Sequence, residues 1–276
     1  MRIILAKNVN KDIDESIYDL FCMYAKKCGI QVNVANDLNH LEQIILSQGA
    51  DCVAVFGGDG TMLVYSHLCT KFDLPILAIN MGKIGFLSQL EINDLLNGLT
   101  LLAGGKYIVE SRSMLKVSYN NFSVDALNEA VFCNIQRNGT VAIDVSVGTE
   151  FVDTFVGDGI ILSTPTGSTA YSLSAGGPIL YPDLDVTLLT PLCAHSFRNR
   201  PVVFSGMSNV KVSCKQPIEC LIDGVLTDWK LDAGCSVWVS KSGRSAKFIK
   251  FKSAGFFSKL FKKLSSWSMG GSEVTK

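Results

Sequence analysis

The chain predicts an α/β N-terminal domain on an open, mostly parallel sheet, followed by an all-β C-terminal domain, a layered β-sandwich. Three observations carry this. Up to Gly105, wholly apolar strand runs alternate with stretches of helical spacing, the rhythm of a parallel sheet with crossover helices. From Lys106 onward the apolar period changes, and alternating short strands take over. The 276 residues are 47% hydrophobic and 18% charged, enough for about two domains with substantial cores.

Residues 2–6 (RIILA) open the first domain as a continuous apolar strand. Ile13, Ile17, Leu20, Tyr24 and Cys28 fall at helical spacing, and Gly29 is a C-terminal stop. Ile30, Val32 and Val34 alternate as a strand, and Leu41, Ile44 and Ile45 mark a short helix ending near Gly49. Cys52–Phe56 is apolar throughout, as a buried parallel strand is. A helix to about Cys69, a strand at 75–80 and a helix from Glu91 to about Ala103 complete this half. In the second half Val141, Ile143, Val145 and Val147 alternate with smaller or polar residues. Further strands are expected near 151–156, 201–204, 209–214, 218–222, 235–239 and 246–251. In the tail, Phe256, Phe257, Leu260, Phe261 and Leu264 with Lys259, Lys262 and Lys263 form an amphipathic helix. It is expected to dock back on the protein rather than on a membrane surface. The last residues, SMGGSEVTK, read as disordered.

Bulk properties exclude several classes. Net charge is zero, which argues against a nucleic-acid partner held by a broad basic field. Nine cysteines form no Cys-x-x-Cys pair, so they read as reduced, mostly buried thiols rather than metal ligands or disulfides. His40, His67 and His195 are far apart in sequence, and no resident metal site can be assigned. The N-terminus turns acidic too soon for a secretory signal. No apolar run reaches the ~18 residues of a membrane span. A soluble, cytoplasmic protein is expected.

Four motifs could carry chemistry. Gly57-Gly58-Asp59-Gly60-Thr61 lies between a buried strand and a helix, where glycines and a helix N-terminus admit phosphate. Asp59 is the odd member, since a carboxylate repels phosphate. It could take a proton from an attacking hydroxyl, hold Mg²⁺, or merely cap the helix from about Gly60. Asn80–Leu87 (NMGKIGFL) is a second glycine turn at the next strand end, with Phe86 as a stacking wall or core residue. Asn128-Glu129 interrupts the apolar stretch Val124–Phe132. Ribose hydroxyls or an internal turn network would satisfy this pair. The fourth, 157–178 (GDGIILSTPTGSTAYSLSAGGP), is the centre of the chain. It offers clustered hydroxyls, glycine backbone and Tyr171 to a ribose-bearing or polyanionic ligand, or it is a plain hairpin loop. Asp158-Gly159 and Asp223-Gly224 are first of all hairpin turns.

Taken together these motifs resemble the NAD kinases (ATP–NAD kinases). GGDGT at 57–61, the turn at 80–87, Asn128-Glu129 and the 157–178 stretch occur in that family's order and spacing. SFRNRPVV at 196–203 and the Phe-rich tail are also similar. GGDG is shared with lipid kinases and phosphofructokinases, whereas STPTGSTAYSLSAGGP is close to family-specific. The resemblance implies a donor domain of residues 1–106 with the returning segment 252–276, and an NAD-binding domain of residues 107–251. It implies phosphoryl transfer from ATP or polyphosphate to the 2′-hydroxyl of the adenosine ribose of NAD. A divalent cation, Mg²⁺ foremost, would be carried with ATP.

The resemblance also implies roles. Asp59 would be the general base. Gly57, Gly58, Gly60 and Thr61 would cradle donor phosphates, with Asp59 and Gly60 also at the NAD site. Asn128 and Glu129 would hold ribose hydroxyls and adenine. Thr169, Ala170, Tyr171 and Ser174 would line the dinucleotide site, completed by Asp158 and Phe86. Where many relatives carry a basic residue two positions before Asp158, this chain has Val156, and Lys83 or Arg137 could take over. A homodimer or homotetramer is expected from the family. The rival readings are a lipid or sugar kinase using the same GGDG turn, and a non-catalytic NAD(P)-binding sensor.

Overall fold

The computed structural model describes residues 1–7, 13–82, 85–88, 90–134, 139–195, 200–251 and 255–269. Two compact units emerge: Met1–Ser111 with Ala246–Lys276, and Arg112–Ser245.

The first unit begins with β1 (Arg2–Ala6), α1 (Glu15–Lys27), β2 (Gln31–Ala35), α2 (Leu38–Gln48) and β3 (Cys52–Phe56). It continues with α3 (Asp59–Lys71), β4 (Ile76–Asn80), β5 (Leu90–Glu91) and α4 (Leu95–Ala103). The strands run parallel in the order β2-β1-β3-β4, with β5 beside β4. β3 and β4 are buried at every residue, which explains a sequence that is apolar throughout in β3 and as far as Ile79 in β4. Asp14 and Asp37 cap α1 and α2 by accepting from the backbone N–H of Ser16 and His40. Tyr18 and Phe21 of α1 meet Phe56 edge-on, with ring centroids 5.5 and 5.7 Å away. The helix expected from Glu91 begins later, at Leu95, because Leu90 and Glu91 pair with Ile79 and Asn80.

The second unit is antiparallel. The strands β6 (Ile108–Tyr119) and β7 (Phe122–Ala126) form a hairpin, then β8 (Glu129–Asn134), β9 (Val141–Val147), β10 (Glu150–Gly157) and β11 (Gly159–Ser163) follow. After the short helix α5 (Tyr171–Ser174) come β12 (Val186–Leu192), β13 (Val202–Ser205), β14 (Val210–Cys214), β15 (Ile218–Ile222), β16 (Val225–Leu226) and β17 (Ser236–Lys250). One layer runs β10-β9-β14-β17, and the other β13-β12-β11-β8-β15-β16. Phe132, Leu162, Leu189 and Cys220 of the second layer share a buried core with Ile143, Val212 and Val237 of the first.

Three expectations change here. The strands near 235–239 and 246–251 are one strand, β17. Asn128-Glu129 is not mid-strand: β7 ends at Ala126 and β8 starts at Glu129. β12 was not among the expected strands, and it contains Pro191, a residue that argues against a strand when read from sequence.

Back in the first unit, Phe248 of β17 pairs in parallel with Ile76 of β4. Helix α6 (Phe256–Met269) ends the described chain. Its face is not the one composition suggests. Leu260 is buried and Lys263 is largely covered, while Phe257 and Phe261 are exposed. The disorder expected at the terminus falls largely on 270–276, outside the described residues. No helix among them is long and apolar enough to cross a membrane.

Candidate active site

Each unit carries one group of the sequence-predicted residues. In the first, β3 ends at Phe56 and the chain turns through Gly57 and Gly58 into α3. Gly57 has φ +156°, and a Cβ there would lie 2.5 Å from Thr61 Oγ1, so only glycine fits this turn. Nothing lies within 4 Å of the Cβ position at Gly58 or Gly60. The backbone of the first turn of α3 is therefore open to approach at Gly58 and Gly60, and the first helical bonds are made by Thr61 N and Met62 N to Gly58 O, at 3.0 and 3.1 Å.

Asp59 is the first helical residue, and the N-cap is Gly58, which makes no side-chain cap. The capping role considered for Asp59 is thus not the one its side chain plays. Its carboxylate accepts from Phe86 N and Leu87 N, each at 3.1 Å. Lys263 Nζ of α6 donates to Asp59 Oδ2 at 2.7 Å. A Cβ on Gly85 would sit 2.5 Å from Asp59 Oδ1, so that glycine makes the room for the carboxylate. Phe86 stands beside this cluster. Lys263 Nζ is 4.2 Å from its ring centroid and Phe256 is 6.3 Å away. The structure therefore brings together Gly57, Gly58, Asp59, Gly60, Thr61 and Phe86. Lys83 and Ile84 of the same turn lie outside the described residues.

In the second unit, the outer face of the six-stranded layer holds a pocket of about 550 Å³. Strand alternation builds it. Ala130 and Phe132 point into the sandwich core, so Glu129, Val131 and Cys133 point the other way. On β15, Ile218, Cys220 and Ile222 go inward, which leaves Glu219 and Leu221 on the pocket side. Val131, Leu192 and Leu221 give an apolar floor, and Glu129, Asp158, Tyr171 and Glu219 the polar wall. Among the described residues no lysine or arginine lines it. Such a pocket suits a ring with a hydroxyl-bearing sugar better than a phosphate.

Glu129 is its most unusual member. It is 5% exposed, and its Oε2 has no hydrogen-bond partner among the described residues. Burial pushes its carboxyl up to about 8, the nearby Asp223 carboxylate adds to this, and a backbone bond from Tyr171 opposes it. Ser163 is its cross-strand partner, and Ser163 Oγ is also buried without a partner among the described residues. Two adjacent unsatisfied polar groups leave bonds that a ligand or a water can supply.

Much of the 157–178 stretch does something other than display hydroxyls. Thr164 Oγ1 donates to Leu127 O at 2.6 Å, and Ser168 Oγ to Pro165 O at 2.6 Å. Thr169 Oγ1 donates to Thr166 O at 3.1 Å, and Ser172 Oγ pairs with Thr190 Oγ1 at 2.7 Å. These hydroxyls shape the loop from within. They hold Ala170, Tyr171 and Ser174 in place, with Tyr171 on the pocket wall and Ser174 exposed. Asn128 is buried, and its carbonyl accepts from Thr164 N at 2.9 Å. Of the residues expected here, Glu129, Asp158 and Tyr171 line the pocket, while Asn128 and Thr169 support the loop beside it.

Asp223 has a larger part than a hairpin residue. It and Gly224 turn β15 into β16 with φ 50° and 82°, as the Asp-Gly signal implies. Its carboxylate also accepts from the backbone N–H of Leu127, Asn128 and Glu129, at 2.7 to 3.0 Å. Glu219, Val131, Cys133 and Leu221 were missed as pocket residues, although the period-two pattern of β8 and β15 contained the signal, and Leu192 was missed with its strand β12. Arg137 and residues 196–199 of SFRNRPVV lie outside the described residues. Val156 is part-exposed on β10.

Comparison with known proteins matches both halves. Residues 8–107 fit the family model of the ATP-NAD kinase N-terminal domain, and residues 127–251 that of the C-terminal domain. A protein named NAD kinase from Clostridium botulinum (strain Loch Maree / Type A3) is 38% identical over 268 residues, covering 94% of each chain. One from Desulforamulus reducens is 37% identical over 233 residues, covering 82% of this chain and 81% of its own. The structure of an NAD kinase from Archaeoglobus fulgidus in complex with ATP superposes with a TM-score of 0.78 at 26% identity, covering 96% of this chain and 99% of the other. Yeast NADH kinase complexed with NADH shares the fold, with a TM-score of 0.79 at 21% identity over 100% of this chain and 90% of the other.

Proposed function

This chain belongs to the NAD kinase family, and from that premise we propose how its own residues divide the phosphorylation of NAD to NADP. Asp59 accepts the proton of the 2′-hydroxyl of the adenosine ribose. That oxygen then bonds to the terminal phosphorus of ATP, and the bond from phosphorus to the departing ADP oxygen breaks. Phosphoryl transfer asks a protein mainly for positioning and charge placement, and a well-placed carboxylate suffices as base because the proton leaves late. The single observation behind this assignment is the Asp59 carboxylate, fixed by Phe86 N and Leu87 N at the open first turn of α3.

Gly58 and Gly60 leave that turn open for the donor's phosphates, and Gly57 and Thr61, packed on each other, shape the cradle. Glu129 and Ser163 offer a ribose the acceptor and donor their own surroundings leave unused. Asp158 and Tyr171 close the pocket wall, and Asn128 and Thr169 hold the loop that carries Tyr171. The described residues contain no cluster of three or more metal-ligating side chains. A divalent cation, Mg²⁺ by preference, therefore fits as a companion of the ATP phosphates, where it offsets their charge. Inorganic polyphosphate is a second donor of the same chemistry. Cysteines present as thiols support a cytoplasmic location, and the family's habit supports a homo-oligomer.

The test is product formation by the purified protein with NAD, Mg²⁺ and either ATP or polyphosphate. NADP carrying the new phosphate on the 2′-oxygen is expected. Binding of NAD without any NADP would defeat the assignment of Asp59 as a base.

A further inference from the structure

The terminal helix supplies a residue to the reaction site that the sequence motifs do not contain. Lys259 and Lys263 are four residues apart, hence on one face of α6. Both turn inward. Lys259 Nζ donates to Ser88 O at 2.7 Å, and Lys263 Nζ to Asp59 Oδ2 at 2.7 Å. The Lys263 side chain is 18% exposed and lies over the Phe86 ring. Burying that ammonium costs hydration and side-chain entropy, while Phe257 and Phe261 of the same helix are left exposed. The helix thus presents lysine to the site where burial of phenylalanine alone would have turned it otherwise.

Lys263 answers an electrostatic problem posed by the site. The donor's terminal phosphate must come to the helix N-terminus that carries Asp59, and two anions at contact repel. An ammonium on Asp59 Oδ2 cancels that repulsion without removing the carboxylate. We propose that Lys263 is a positioning residue for phosphoryl transfer. It holds the Asp59 carboxylate against Phe86 N and Leu87 N, and its charge admits the donor phosphate beside Asp59. This rests on the reading of Asp59 as the base at the phosphate-donor site.

The experiment compares wild type with Lys263→Met, Lys263→Arg, Asp59→Asn and the double variant Asp59→Asn/Lys263→Met. It measures binding of a non-hydrolysable ATP analogue with Mg²⁺, the KM values for ATP and NAD, and the melting temperature. Lys263→Met is expected to weaken the analogue about tenfold and to raise KM for ATP by the same factor, with KM for NAD within about twofold of wild type. Lys263→Arg, which keeps the charge, is expected to recover most of the loss. The double variant is decisive, because removing both charges restores analogue affinity to within about threefold of wild type. A double variant as weak as Lys263→Met would overturn the proposal, and so would an unchanged or faster Lys263→Met enzyme. Parallel rises in both KM values with a lowered melting temperature and no rescue by arginine would reduce Lys263 to helix packing. If wild type binds the analogue but forms no NADP, the base assignment fails, while the charge balance between Asp59 and Lys263 is still read from binding alone.

Discussion

Asp59 and Glu129 are both acids at the mouth of a buried strand, and their surroundings are opposite. Asp59 is met by two backbone N–H groups and an ammonium. Glu129 has a backbone bond from Tyr171, a carboxylate in Asp223 for a neighbour, and an oxygen with no partner among the described residues. The chain completes one carboxylate and starves the other. A group completed by the protein is held in one place, which is what a reacting group needs. A group left incomplete waits for bonds from a ligand, which is what a recognition group needs.

Substituting each acid gives the largest expected contrast. Asp59→Asn should lower kcat by about 10²–10⁴-fold, the usual worth of a general base. Glu129→Gln should act mainly on KM for NAD, since it alters binding rather than proton removal. Steady-state kinetics on both variants measure the contrast, and a kcat loss as large in Glu129→Gln as in Asp59→Asn would break it.

The two regions also differ in what their glycines protect. A methyl on Gly85 would push on the Asp59 carboxylate, at 2.5 Å from Oδ1. Displacing a reacting group by about 1 Å can cost ~10²-fold, so Gly85→Ala should lose about that factor in kcat with little change in melting temperature. A methyl on Gly167 would meet Asn128 O at 2.1 Å, which is backbone and cannot swing aside. Gly167→Ala should therefore destabilise the second unit by about 1–3 kcal/mol, the cost of overpacking, as read by thermal or urea unfolding.

The same contrast explains what the sequence revealed. The parallel strands were legible because β3 and β4 are buried on both faces and so are almost wholly apolar. The GGDGT turn was legible because it is local, with strand, glycines and helix start in one run. Lys263 was not, because its partner is 204 residues away, and a lysine between phenylalanines reads as the wet side of an amphipathic helix. Residues 241–245 (KSGRS) have the composition of a turn, yet β17 runs through them. Lys241 pairs with Asp185 at 2.7 Å and Arg244 with Asp125 at 3.5 Å, so these polar side chains are strand residues with distant partners. The loop hydroxyls misled for the converse reason. Composition counts Thr164, Ser168 and Thr169 as donors on offer, and it cannot show that they are spent on Leu127, Pro165 and Thr166.

The last contrast is a pH dependence that only the starved carboxyl should produce. Burial holds Glu129 protonated up to about 8 in the folded chain, whereas an unfolded Glu loses its proton near 4.3. Between those values the folded state binds more protons than the unfolded one, so stability falls as pH rises through this window and levels off above it. Below the unfolded value both states are protonated and the group is silent. Glu129→Gln mimics the protonated form at every pH and removes the decline. The melting temperatures of wild type and variant should coincide below about pH 4 and draw steadily apart up to pH 8, toward a ceiling of about 5 kcal/mol set by the two values. Parallel curves would mean that Glu129 is ionised in the folded protein like any exposed acid. NAD should then narrow the gap: a ribose hydroxyl donating to Glu129 Oε2 supplies the bond that the ionised carboxylate lacks, so saturating NAD raises the wild-type melting temperature more at pH 8 than at pH 5.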